Sequence, residues 1–205
     1  MLKRIFIPIY FDWKVVVITV ASTLLLMVDA YHLLTPVKQV DRTILYLVVP
    51  ILFIVFVFRE SPRAYGFTLG DWRAGLTITL GGAALMTPVI WALGAGDASM
   101  QTYYNDPSTH LFWRSFLELF GWEFLFRGWI LFGYARKFGP EAAWLQAVPF
   151  ALAHVGKPEI ETLSTIFGGF AFGWVAYRTR SFLYPFLIHW YIYSLVILVS
   201  SGALR

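Results

Sequence analysis

The chain has no cysteine among its 205 residues, which removes disulfides, thiolate nucleophiles and Cys-ligated zinc or iron–sulfur centres from consideration. Charge is scarce as well: Asp, Glu, Lys and Arg make up 14% of the chain, against 59% hydrophobic residues and a mean hydropathy of +0.66. A soluble fold of this length has no interior large enough for that load together with 9 Trp, 11 Tyr and 19 Phe. The excess must face lipid, so the expected fold class is all-α, a polytopic bundle of transmembrane helices forming one membrane domain over residues 1–205. The net charge of +4 comes from bases scattered singly along the chain, with no patch to receive a nucleic acid.

Hydrophobic runs bounded by charge or by Gly/Pro predict spans near 13–34, 43–58, 74–94, 111–134, 141–155, 162–177 and 182–201, seven give or take one. The first is too long for a signal-peptide core and lacks a small-residue cleavage pattern, so it reads as a retained span. The runs at 43–58 and 141–155 are short for a hydrocarbon layer of about 30 Å and are expected to tilt, re-enter or extend into their flanks. Lys and Arg in the short connections orient the bundle. With the N-terminus inside, the inner segments hold Lys3, Arg4, Lys14, Arg59, Arg63, Arg73, Arg136, Lys137, Arg178 and Arg180; the outer ones hold Lys38, Arg42, Lys157 and Arg205. The longest outer loop, 94–110, has two Asp and no Lys or Arg. The N-terminus is therefore expected inside and the C-terminus outside.

Ionisable residues at bilayer depth are costly, a few kcal/mol each, and point to function. The fourth predicted span contains Glu118, Glu123 and Arg127. Glu123 and Arg127 are four apart on one helical face with the acid N-terminal, so they can neutralise one another. Taken alone they read equally well as a structural ion pair. His154 closes the fifth span, where a lone His is usually an interfacial residue, and Glu161 just beyond it reads by itself as an acid complementing the dipole of the sixth helix. His189 is harder to explain, because an imidazole well inside the apolar seventh span needs a hydrogen-bonding neighbour. Depth links the set. Glu123 lies roughly 18 Å from the outer end of its span and His189 roughly 10 Å from the inner end of its own, at 1.5 Å per residue, so both fall at one level. Two carboxylates and two imidazoles aimed at a dry cavity are the chemistry of general-base activation of water. Gly168, Gly169 and Gly173 read as a small-residue packing face. Trp113, Trp129 and Trp144 read as an aromatic belt.

Over roughly residues 110–200 these features resemble the CPBP intramembrane proteases, which include the type II CAAX prenyl endopeptidases and proteins linked to bacteriocin processing or immunity. The family pattern is Glu-Glu-x-x-x-Arg, then Phe-x-x-x-His, then His-x-x-x-Asn, each on its own helix. Here Trp122, Glu123 and Arg127 stand in the first, Phe150 and His154 in the second, His189 and Tyr193 in the third. The resemblance implies a CPBP-like catalytic core at 110–200 in a multi-pass protein of a bacterial or archaeal cytoplasmic membrane. It also implies an endopeptidase acting on a membrane-embedded or lipid-anchored protein or peptide, without cofactor or metal. The first Glu of the pair, the family's base, is Trp122 here, and the Asn is Tyr193.

The expected roles are therefore Glu123 as base, paired with Arg127, His154 holding the water, His189 stabilising the oxyanion and Glu161 as auxiliary acid. Glu118, one turn before Trp122, is a further acid that can contribute. Three alternatives stand beside this reading. Two His and a Glu are also a zinc-hydrolase ligand set. Loss of the first Glu fits a non-catalytic binding or immunity protein of the same fold. A proton-coupled transporter would carry an inverted repeat, and none is visible.

Overall fold

The computed structural model describes residues 10–106 and 113–204, without the side chain of Trp113. Of the features expected above, Lys3, Arg4, the stretch 107–112 including His110, the Trp113 side chain and Arg205 lie outside the described residues.

Among the described residues the chain runs through α1 (Trp13–Tyr31), α2 (Lys38–Val57), α3 (Trp72–Gly96), a short α4 (Ala98–Tyr103), α5 (113–138), α6 (142–152), α7 (Glu159–Thr179) and α8 (Leu183–Ser200). The seven long helices coincide with the seven predicted spans. Local chemistry starts several of them. The Asp12 carboxylate accepts from the Lys14 and Val15 amides to cap α1, and Asp71 does the same for Ala74 at the head of α3. Between α2 and α3 the chain turns through Gly70 at φ +51°, where a Cβ would collide with the Thr179 carbonyl at the end of α7, so only glycine lets the two connections touch.

Four helices, α1, α2, α3 and α8, are long and apolar enough to cross a membrane. The other three depart from that standard for separate reasons. α5 carries Glu118, Glu123 and Arg127, α7 begins with Glu159 and Glu161, and α6, at 1.5 Å per residue, rises only about 16 Å. The expectation that the second span extends into its flank holds: α2 begins at Lys38, and Lys38, Asp41 and Arg42 are helical. They are tolerated because Asp29 of α1 pairs with both Lys38 and Arg42, and Arg42 also pairs with Glu118 of α5.

α8 is the inner helix and α3 an outer one: 44% of the α8 window is buried but only 6% of the α3 window, although the two pack along one another. α6 is held against α7 by close approach. A Cβ on Gly169 would meet Phe150 and Ala147 at 2.9 and 3.0 Å, while the Gln146 amide donates to the Gly169 carbonyl at 2.7 Å. Gly169 and Gly173 thus form the expected packing face; Gly168 does not, since it faces a cavity. Trp129 corrects the aromatic-belt expectation. It is fully buried, stacks on Phe58 at 5.3 Å and donates its indole N–H to Ser22 of α1 at 3.0 Å, which makes it a core residue. Trp144 is 44% exposed and stacks on Phe170 at 4.0 Å.

Candidate functional site

The centre of the bundle is a three-residue polar chain. Glu123 and Arg127 are both fully buried on α5, and one carboxylate oxygen, Glu123 Oε1, accepts from Arg127 Nη1 at 2.9 Å and from His189 Nδ1 of α8 at 2.6 Å. Immediately after Glu123 the α5 backbone widens into π-helical turns over Phe124–Ile130, the segment that carries Arg127. Such widened turns gather at functional sites. The guanidinium is not left bare in the apolar interior, because its carbon lies 3.9 Å from the centre of the Phe150 ring and 5.1 Å from that of Phe172. Facing aromatic π-clouds offset part of its desolvation.

His154 lies at the end of α6, 3% exposed, and its Nδ1 bonds the Phe150 carbonyl at 2.8 Å. A carbonyl oxygen can only accept, so Nδ1 carries the proton and Nε2 carries the lone pair. Phe150 therefore serves twice: its ring covers Arg127 and its backbone fixes the His154 tautomer. The Phe-x-x-x-His spacing in the sequence is the signature of that i, i+4 contact.

His154 and His189 line two cavities. One, of about 460 Å³, is polar and includes Lys38, Arg42, Glu118, Trp122, Lys157 and Tyr193 in its walls. The other, of about 170 Å³, is mainly apolar, with Ile90, Met100, Phe172 and Val196, and is edged by Tyr104 and Glu161. Tyr193 borders both. Glu123 lines neither and reaches them only through His189. The structure thus joins Glu123, Arg127 and His189 in one hydrogen-bonded chain and sets His154 on the same cavities as His189, with Glu123 behind an imidazole. Glu161 is engaged elsewhere: its carboxylate accepts from the Tyr104 hydroxyl at 2.7 Å and from Lys157 Nζ at 2.8 Å, tying the segment after α4 to the start of α7. Trp122 sets its indole edge-on to His154, with ring centres 5.8 Å apart, and receives the Arg42 guanidinium at 5.3 Å from its ring.

Sequence reasoning missed the roles of Arg42, Asp29 and Gln146. The Asp29–Arg42–Glu118 chain crosses three helices, and Gln146 satisfies a carbonyl of α7, so only tertiary proximity reveals them. Among the described residues no group of three or more His, Asp or Glu side chains is set to ligate a metal ion.

The acid–imidazole centre is thus buried among helices, four of which are long and apolar enough to cross a membrane, beside two cavities that His154 and His189 line. Residues 105–195 match the family of the type II CAAX prenyl endopeptidase Rce1-like proteins, a protease family, and this stretch runs from before α5 to within α8 and includes all three motifs. Over that segment the chain is similar to the CAAX protease family. No curated protein and no solved structure matches it significantly.

Proposed function

We propose that the protein is an intramembrane endopeptidase that hydrolyses a peptide bond of a membrane-embedded or lipid-anchored protein, with water as nucleophile. What carries the reading is the pair of imidazoles on one cavity, each with Nδ1 engaged and Nε2 left for chemistry. His154 Nε2 accepts from the attacking water and orients it. His189, its Nδ1 bonded to the Glu123 carboxylate, donates from Nε2 to the oxygen of the scissile carbonyl as that oxygen becomes negative. Glu123 is the carboxylate behind this donor and Arg127 holds Glu123. Its role is thus to support His189, rather than to receive the proton directly as the spacing alone suggested. Glu161 lines the apolar cavity beside Tyr104, which donates to it, while Lys157 bonds it from the wall of the polar cavity. That cavity suits an apolar side chain or lipid segment of the substrate.

The test is comparative terminal-peptide proteomics of membrane fractions incubated with wild-type, Glu123→Gln and His154→Ala protein. New termini present only with the wild type are expected. A second reading, a non-catalytic binding or immunity protein of the same fold, is favoured by Trp122, which puts an indole against His154. Identical termini in all three samples would select it.

A further inference from the structure

The polar cavity holds one carboxylate among its lining side chains, and it is neither of the acids singled out by motif or by proximity to His154. Glu123 is enclosed behind His189, and Glu161 lines the apolar cavity, where the Tyr104 hydroxyl bonds it, and is absent from the walls of the polar one. Glu118 lines the polar cavity with His154, His189 and Tyr193, and its side chain is 16% exposed where that of Glu123 is 0%. It stands one helical turn, about 6 Å along the axis of α5, from Trp122, so the two share a face. A carboxylate in contact with water beside two imidazoles is the arrangement that takes a proton from that water.

Resting on the endopeptidase reading, we propose that Glu118 is the general base and acid of this protein, with Arg42 as its positioning residue. Arg42 donates from Nη1 to Glu118 Oε1, which fixes the carboxylate in the cavity wall. The same guanidinium donates from Nε to Asp29 Oδ2 at 3.2 Å and lies over Trp122, so it is held in place by two acids and an indole. Trp122 becomes the wall that separates this carboxylate from Glu123, whose place is behind His189. In the reaction the water oxygen bonds to the carbonyl carbon while its proton passes to Glu118. The tetrahedral oxyanion is met by His189. When the C–N bond breaks, Glu118 returns the proton to the leaving nitrogen, which regenerates the carboxylate and releases an acid and an amine.

The experiment uses the full chain in membranes and follows the wild-type cleavage products in Glu118→Gln, Glu118→Asp and the double variant Glu118→Gln, Trp122→Glu, with thermal unfolding of each as a folding control. Glu118→Gln keeps an acceptor for Arg42, so it should unfold within a few degrees of the wild type yet cleave at least about 100-fold more slowly. Glu118→Asp should retain measurable cleavage. A carboxylate returned to the same cavity at position 122 should restore at least about a tenth of the wild-type rate. Wild-type rates in Glu118→Gln would overturn the assignment while leaving the endopeptidase reading intact. So would a loss that neither the Asp variant nor the double variant relieves, since that pattern marks a structural acid. A wild-type protein that generates no new termini overturns both.

Discussion

Of the three glutamates bonded to an arginine among the described residues, Glu60 and Glu123 show opposite uses of the same pair. Glu60, in the connection after α2, accepts from Lys14 Nζ at 2.6 Å, from Arg136 Nη1 at 2.6 Å and from the Tyr65 hydroxyl at 2.8 Å, and its side chain remains 23% exposed. Partial burial pushes its carboxyl up, but hydrogen bonds from Lys14, Arg136 and Tyr65 outweigh that and hold it down to about 2. This acid is saturated with donors and serves as a clamp joining the start of α1, the end of α5 and the loop between α2 and α3. Glu123, with no exposure at all, receives both of its hydrogen bonds on one oxygen; the other has no partner among the described residues. A buried polar atom left unpaired costs about 1–3 kcal/mol, more for a charged group. The bundle carries that cost beside His189, the imidazole that bonds the other oxygen. Saturation goes with structure and deficiency with chemistry.

The comparison breaks most visibly at the arginines. Arg127→Gln leaves Glu123 uncompensated in the core and should lower stability by about 3–5 kcal/mol, measured by denaturation in detergent micelles, with loss of cleavage. Arg136→Gln leaves Glu60 two donors and access to water, so it should cost no more than about 1 kcal/mol. Equal losses would show that burial does not distinguish the two acids. Glu123→Gln should keep the fold and cut the cleavage rate by about 10²–10⁴, because the amide cannot carry the charge that supports His189. Glu60→Gln should cleave normally. A smaller effect sharpens the contrast through pH. The Glu60 carboxyl lies below its unfolded value of about 4.3, so its stabilisation is complete above that pH and disappears as the pH falls from there through about 2. Wild-type unfolding temperature should therefore drop over this window more steeply than that of Glu60→Gln. Smallest of all in energy, cysteines placed at Ala98 and Lys137 should differ in access: an impermeant reagent added to intact cells should label Ala98→Cys and spare Lys137→Cys. Preferential labelling of position 137 would reverse the orientation inferred from the bases.

Much of the fold was legible because long apolar runs report lipid exposure directly, and the seven runs became the seven long helices. The depth argument for Glu123 and His189 also succeeded, since helical rise is nearly constant and converts sequence distance into position. What stayed hidden depends on neighbours from other helices. The start of α2 was misplaced because Lys38 and Arg42 look like loop residues until Asp29 and Glu118 neutralise them. Trp129 has the composition of a belt residue, and only the Ser22 hydroxyl across the bundle makes its burial tolerable. Proximity in sequence placed Glu161 beside His154, whereas Tyr104, 57 residues away, claims its carboxylate.

The bond between His154 and Phe150 has a genetic consequence. Its acceptor is a main-chain carbonyl, so no missense change at position 150 that preserves α6 can delete it. The ring at 150 answers to the Arg127 charge, while the tautomer of His154 answers only to the helix. A mutational scan should therefore find position 150 sensitive through thermal tolerance and substitutable in chemistry, whereas every substitution at position 154 removes the imidazole outright. In such a design, variation can explore the cation-covering surface without disturbing the proton inventory of the site.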